Sequence, residues 1–318
     1  MPQPKTPTEE LIEALNLIEQ YGSSHKAFAA GASPVPESTL RRRAQVAKIE
    51  GLRPTITKDA PRIHSTKRLG KMHLIIPDVQ SKPGVQLDHL TWIGNYITEK
   101  QPDNIICIGD FFDFPSLSSF DKGKLAFEGR RYVEDIKAGR RAMQNLMSPI
   151  EAYNRTARVK YQPQMDFTLG NHEQRIIRIV DSNPEFFGKF SYDDMAIGDY
   201  GWKVHDFLKP VTIDGVTYCH YFTSGVMGRP VSSAAALLRE RQSSCVMGHV
   251  QKTDIAIHPK TGNTALFCGI CYLHDEDYLG YQGQGPNNRR QIVVLHEVED
   301  GQFDMMFVSL KFLEKGYS

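Results

Sequence analysis

Read for its apolar periodicity, the chain has three textures. In TPTEELIEALNLIEQY, Leu11, Leu15 and Ile18 recur at helical spacing, with Thr6 expected as N-cap, Pro7 at the first helical position and Glu9 closing a capping box. A short second helix is expected over SSHKAFAA, capped by Ser23 or Ser24 and ended by Gly31. A third, PESTLRRRAQVAKIE, starts at Pro36 and turns Leu40, Ala44 and Ala47 inward, leaving Ser38, Thr39, Arg41, Arg42 and Arg43 largely available. Residues 51–71 lose all periodicity, carry two prolines and several basic residues, and read as a connection. The expected division is a helical domain at 1–55, a linker at 56–71 and a main domain at 72–318.

From residue 72 strands and helices alternate. HLIIPD is a strand, a helix follows near 86–100, NIICIG is the next strand, and a long helix near 129–153 precedes the strand MDFTLG. Near-continuous Val, Ile and Leu in these strands fits burial on both faces. After residue 200 the strands shorten, with hairpin signals at Asp214-Gly215, Thr261-Gly262 and Asp300-Gly301. An α/β half followed by a β-rich half predicts two packed sheets flanked by helices.

Composition changes this picture in one respect. The net charge of +1 hides an asymmetry: residues 1–71 hold 12 Lys/Arg against 7 Asp/Glu, and the remainder 26 against 30. A basic N-terminal piece on a mildly acidic body points to a module that faces a polyanion. The five cysteines are odd in number and scattered, so a disulfide framework is excluded, and the lone CxxC of Cys268 and Cys271 reads as two buried strand or loop thiols. MPQPKTPTEE has no basic-then-apolar signal pattern, and no apolar run approaches the roughly 18 residues of a membrane span. The expectation is a cytoplasmic protein of a reducing compartment, bacterial or in a phage-infected host.

The chemistry lies at strand ends. The first strand delivers Asp78-Val-Gln80, the second GDFFD with Asp110 and Asp113, and the third GNHE with Asn171, His172 and Glu173; later come CHYF with His220 and GHVQ with His249 and Gln251. In open α/β sheets ligands bind beyond the carboxyl ends of strands, so residues about 170 positions apart can converge. The remaining histidines, among them His73, His89, His205, His258, His274 and His296, fit no such pattern and read as surface or strand residues. The polar run from His274 to Asp277 is a candidate lining for the site's mouth.

These blocks resemble the calcineurin-like metallophosphoesterases, whose motifs run D-x-H, GD-x-x-D, GNH-[D/E], H and GH-x-H. The resemblance spans about residues 72–275. It implies an α/β fold, a four-layer α/β/β/α sandwich of two mixed sheets, here with a small N-terminal all-α domain, and two divalent metal ions that share a carboxylate. By position, Asp110 would bridge the metals; Asn171, His220 and His249 would complete one site; Asp78, Gln80 and Gln251 would form the other. His172 would sit over the scissile phosphate, oriented by Asp113. Cations about 3.5–4 Å apart clamp a phosphate and sharpen a bridging hydroxide for attack.

Both departures, Gln80 and Gln251 in place of histidine, fall in the same implied site. A glutamine carbonyl suits hard cations, so that site is expected to take Mn²⁺ or Mg²⁺, with Zn²⁺ better suited to the Asn171/His220/His249 site. Phe114-Pro115 stands where phosphoprotein phosphatases of the family carry arginine, which weakens that substrate reading. Phe111, Phe112, Phe114, Tyr221 and Phe222 near the site read either as packing between layers or as platforms for bases. The three N-terminal helices resemble the helix-turn-helix DNA-binding modules of phage and bacterial proteins, which would place Ser38, Thr39, Arg41 and Arg42 against nucleic acid. The leading expectation is a metal-dependent phosphodiesterase or nuclease acting on DNA. The alternatives are a nucleotide or phosphoprotein phosphatase, and a non-catalytic DNA-binding scaffold with a half-occupied metal centre.

Overall fold

Prolines set where the N-terminal helices begin. A computed structural model describes residues 6–55, 70–276 and 288–318, and the chain divides into two units, Met1–Lys67 and Arg68–Ser318. Most of the expected linker at 56–71, and Asp277, lie outside the described residues. In the first unit α1 runs Thr8–Tyr21, α2 Ser24–Ala29 and α3 Glu37–Ile49. Pro7 and Pro36 are themselves the N-caps, without side-chain capping bonds, so the box expected from Thr6 and Glu9 does not form. Proline's fixed φ makes it a rigid entry point, which shifts both starts by one residue. Ser23 does cap α2, accepting from the Lys26 N–H at 3.1 Å.

Leu11, Ala14, Leu15, Ala27, Leu40, Ala44 and Ala47 make a core of this unit's own. Ser38, Arg41 and Arg42 are exposed and Thr39 is half-buried. Arg43 is not available as expected: it forms an ion pair with Glu10 of α1.

The second unit is built from β1 (Lys71–Ile76), α4 (Asp88–Lys100), β2 (Asn104–Cys107), α5 (Tyr132–Thr156), β3 (Gln164–Thr168), α6 (Gln174–Ser182), β4 (Lys203–His205), β5 (Val211–Ile213), β6 (Val216–Tyr218), the small hairpin β7 (Thr223–Ser224) and β8 (Arg229–Pro230), α7 (Ala234–Arg241), β9 (Cys245–Met247), β10 (Thr253–Ile257), β11 (Thr264–Cys268), β12 (Gln291–Glu299), β13 (Gln302–Ser309) and α8 (Leu310–Tyr317). One sheet has the order β13-β12-β1-β2-β3-β4, the other β10-β11-β9-β6-β5. Both are mixed. β1 to β4 run parallel with β12 antiparallel beside β1, and β6, β9 and β11 run parallel between antiparallel β5 and β10.

Strand alternation sorts the side chains into layers. Leu74 and Ile76 of β1, with Ile105 and Cys107 of β2, face α4, α5 and α8, whereas Ile75 and Ile106 turn the other way. There they meet Val246 of β9 and Leu266 of β11 across the inter-sheet core. Met247 and Phe267 point out of the second sheet to Leu237 and Leu238 of α7. The result is a four-layer α/β/β/α sandwich. The five cysteines are buried and unpaired, and burial raises the thiol of each.

His73 is a strand residue, as expected, and a buried one. It lies between the sheets, its ring nitrogens 2.7 Å from the Tyr218 hydroxyl and 3.0 Å from Asp214 Oδ2, and burial lowers its pKa despite that carboxylate. His89 of α4 is also buried, with its pKa lowered to about 4 by desolvation. Among the described residues no helix is long and apolar enough to cross a membrane.

Candidate metal centre

The parallel strands of the two sheets end at the same edge, and the loops leaving them converge there. Past β1, Asp78 Oδ1 accepts the His249 N–H at 3.0 Å, while its Oδ2 is buried without a hydrogen-bond partner among the described residues. Burial pushes this carboxyl up to about 7, opposed by His220 and aided by Asp110. Gln80 gives its backbone N–H to the Asp110 carbonyl, and both polar atoms of its side chain are buried and, among the described residues, unpartnered. Past β2, Asp110 Oδ1 accepts the His172 N–H at 2.9 Å and Oδ2 stands 3.2 Å from His220 Nε2. Asn171 Oδ1 is 3.0 Å from the same nitrogen.

From the second sheet, His220 donates Nδ1–H to the Ile108 carbonyl at 2.8 Å, which turns Nε2 into the cluster. That is the usual arrangement of a metal-ligating imidazole. Ligand atoms of Asp110, His220 and His249 all lie within 4.8 Å of one another. Burial, then His220, lowers His249 to about 4, leaving it neutral as a ligand must be. His220 behaves oppositely: burial lowers it, but Asp110 and Asp78 carry it up to about 9. A cation held by His220 Nε2 would take the place of the proton on that nitrogen.

The backbone is strained where it delivers these groups. Gln80, Asp110, His249 and Gln251 all have φ between 46° and 63°, the left-handed region that non-glycine residues avoid. Each such residue costs on the order of 1–3 kcal/mol, a cost that clusters at functional sites. Glycine in GNH and GH has a related cause. A Cβ at Gly170 would stand 2.2 Å from Asp110 Oδ1, and one at Gly248 2.4 Å from Asp78 Oδ1.

Divalent cations fit this donor set. Leaving Asp78 Oδ2 and the Gln80 amide buried and unpartnered costs about 1–3 kcal/mol each, a penalty that coordination removes. Asp110, Asn171, His220 and His249 would hold one cation, and Asp78, Gln80 and Asp110 a second. Gln251 is buried, and its Oε1 accepts the Tyr272 hydroxyl at 3.2 Å. A carbonyl oxygen has a second lone pair, so that bond orients the amide without using up its capacity as a ligand.

If two amide oxygens select hard cations, wild-type protein is activated by Mn²⁺ or Mg²⁺ more than by Zn²⁺. Gln80→His with Gln251→His then raises Zn²⁺ affinity by more than either change alone, because the two would share one cation. Calorimetric metal titration of the four proteins tests this. One bound Mn²⁺ at saturation, with full hydrolysis, would sink the two-cation arrangement.

Beside the ligands stands a second group. His172 Nδ1 lies 2.7 Å from Asp113 Oδ1, and the imidazole is raised: burial lowers it, but Asp110 and Asp113 outweigh that. Burial would raise Asp113, yet His172, Lys82 and Arg175 hold it well below the ordinary carboxylate range. Arg175 and Lys82 escaped the sequence reading, and Glu173 was named in its motif without a role. Glu173, fully buried, accepts the N–H groups of Asp110, Phe112 and Gly170 and so ties the second and third motifs together. Arg175 Nη1 donates to the carbonyls of Asp113 and Phe114 at 2.7 and 3.2 Å. Lys82 bridges Asp113 Oδ2 at 3.4 Å and both oxygens of Glu276, which also meets His274 Nε2 at 2.6 Å. The run from His274 thus reaches the site through Glu276.

Of the aromatics, Phe111, Phe112, Phe114 and Phe222 are buried packing residues, Phe112 and Phe114 stacking at 5.5 Å. Tyr221 is half-buried against the His249 ring, 4.5 Å between centroids.

No protein-family model matches the chain. The Gene 54 protein of Mycobacterium phage D29 is 23% identical over 196 residues, which cover 60% of this chain and 72% of that protein. Among solved structures, Vps29 of Entamoeba histolytica complexed with Zn²⁺ is 9% identical, with 75% of this chain and 99% of that chain covered at a TM-score of 0.35. A dimetal phosphatase from Danio rerio is also 9% identical, with 76% and 97% covered at a TM-score of 0.37. At such identities and TM-scores, what the neighbours do is not transferred to this chain.

Proposed function

We propose that this chain is a metal-dependent phosphoesterase that hydrolyses phosphodiester bonds, with DNA as substrate. One observation carries the reaction: a hydrogen-bonded His172–Asp113 pair stands next to a buried set of oxygen and imidazole ligands, of which Asp78 Oδ2 and Gln80 Oε1 have no hydrogen-bond partner among the described residues. Cations held by those ligands would neutralise phosphate charge and activate water. The chain's own part is proton transfer and positioning. His172 Nδ1–H is directed at Asp113, so Nε2 is the atom that faces a leaving oxygen, and protonated it serves as general acid. Asp113 stays ionised because His172, Lys82 and Arg175 all favour its charge. Glu173 holds the Asp110 and Gly170 backbones in place, keeping the bridging carboxylate and the histidine in one frame.

DNA as substrate rests on the N-terminal unit, where Ser38, Arg41 and Arg42 are exposed on the first turns of α3, with Thr39 half-buried among them. A groove-facing helix presents those turns. Each Lys or Arg that neutralises a phosphate adds about 0.9 to the slope of log affinity against log salt. Arg41→Ala with Arg42→Ala should therefore weaken DNA binding and flatten that slope by up to about 2, leaving hydrolysis of bis-p-nitrophenyl phosphate unchanged. An unaltered slope would turn the helices into a protein-docking module.

The reaction itself is tested with Mn²⁺, Mg²⁺ and Zn²⁺ against bis-p-nitrophenyl phosphate, p-nitrophenyl phosphate, and single- and double-stranded DNA. Faster turnover of the diesters supports the proposal, and exclusive turnover of the monoester makes the protein a phosphatase. Silence with every metal makes it a scaffold.

A further inference from the structure

The site's sequence motif lacks the arginine that would grip phosphate after GDFFD, and Phe114 occupies that position. The fold supplies a guanidinium from elsewhere. Arg175 sits three residues after His172, in the first turn of α6, with a side chain only 16% exposed. Nη1 is committed to the Asp113 and Phe114 carbonyls and also lies 3.3 Å from Asp113 Oδ1. Phe114 has φ 51°, and that left-handed turn accompanies the delivery of its carbonyl to Nη1 instead of the side chain to the site. Nη2 has one protein contact among the described residues, His172 Nε2 at 3.2 Å.

We infer that Arg175 is the phosphate-gripping residue of this site, donating through Nη2 to an oxygen of the bound phosphate beside the leaving oxygen. This rests on the phosphoesterase reading above and adds to it a specific contact. A leaving oxygen that reaches His172 Nε2 from the side of Nη2 can place a neighbouring phosphate oxygen within donor range of Nη2, because the two nitrogens are 3.2 Å apart. Lys82, which also faces Asp113, is already engaged by both oxygens of Glu276. Arg175 has donors left over, since a guanidinium carries five N–H groups in a fixed fork. The phosphate grip missing from position 114 therefore returns from α6. Its absence after GDFFD then no longer argues against a phosphomonoester substrate, and the choice between monoester and diester passes to the shape of the site's mouth.

The experiment uses full-length, Mn²⁺-loaded protein, with inorganic phosphate as the calorimetric probe and both p-nitrophenyl esters as substrates. A hydrogen bond to a charged group at a partly buried site is worth about 10–100-fold in affinity. Arg175→Gln should still fold and bind Mn²⁺, melting lower only by the lost bonds to the Asp113 and Phe114 carbonyls, with phosphate affinity down and KM up by that factor. Arg175→Lys, which keeps the charge and can still reach the Asp113 carbonyl, should recover part of the loss. Phosphate affinity indifferent to both substitutions, with hydrolysis intact in the wild type, would overturn the contact and leave the reaction standing. Phosphate binding that depends on Arg175 in a wild type that hydrolyses neither ester would overturn the reaction and leave the contact. Early melting and loss of Mn²⁺ in both variants would make Arg175 a brace for the 113–114 turn and overturn the proposal.

Discussion

Asp110→Asn is expected to empty the metal centre without unfolding the protein. The substitution is close to isosteric, and asparagine tolerates a φ of 49° as well as aspartate does. Its carbonyl oxygen can still accept the His172 N–H that Oδ1 accepts now at 2.9 Å. What disappears is the charge that two cations would share. Asp110 is held ionised, well below the usual carboxylate range: burial opposes its charge, but His172 and His220 more than compensate. In the metal-free protein that charge also repels Asp78, which Asp110 helps to push upward. Metal-free Asp110→Asn should still fold but melt below wild type, because the lost attraction of His172 and His220 outweighs the relieved repulsion of Asp78. The variant should lose the rise in melting temperature that saturating Mn²⁺ gives the wild type, a stabilisation of about 2.7 kcal/mol at a hundred times Kd. Turnover should fall by more than roughly 10³-fold, as expected when the charge-stabilising centre of a phosphoryl transfer is removed. Differential scanning calorimetry with and without Mn²⁺, alongside ester hydrolysis, tests both halves. A variant that still gains stability from Mn²⁺ would show that Asp110 is not the shared ligand.

The layers were legible because strand alternation is a local property. Leu74 and Ile76 against Ile75, or Ile105 against Ile106, can be assigned to opposite faces from a few consecutive letters. The hairpins at Asp214-Gly215, Thr261-Gly262 and Asp300-Gly301 all connect paired strands, since their turn chemistry is equally local. The gathering of the strand-end residues at one edge was legible for a different reason: parallel strands must present their carboxyl ends together, so polar residues at those ends converge.

What the letters concealed was everything reached sideways. Arg175 occupies an ordinary polar position on an amphipathic helix, and only folding places it against Asp113 and His172. Glu173 reads as part of a capping turn, but its carboxylate collects three N–H groups from two loops. Lys82 and Glu276 are 194 positions apart, and no spacing relates them. Tyr272, which orients Gln251, comes after the last motif and carries no signal of its own. Arg43 shows the limit from the other side: it looks available in sequence, yet it is paired with Glu10.

His172→Ala should separate proton transfer from metal binding. The imidazole is poised as an acid: Nδ1 faces Asp113 Oδ1 at 2.7 Å, and Nε2 lies 3.7 Å from Asp110 Oδ2, on the ligand side of the ring. Its backbone N–H, not its side chain, holds Asp110 Oδ1, so alanine keeps that bond and the carboxylate stays in place. Both cations should therefore still bind. Loss of a positioned general acid costs roughly 10²–10⁴ in turnover. The size of the defect should depend on the leaving group. An alkoxide from a DNA phosphodiester needs the proton as the bond breaks, whereas p-nitrophenolate is stable without it, so bis-p-nitrophenyl phosphate should show the smaller loss. Asp113→Asn should reproduce that dependence in weaker form, because an amide can still accept from Nδ1–H but does not favour the imidazolium. Metal content by mass spectrometry and turnover on the two diesters, measured for both variants, decide it. An equal loss on the two substrates together with missing metal would make His172 a ligand and leave the reaction without an acid on this side of the phosphate.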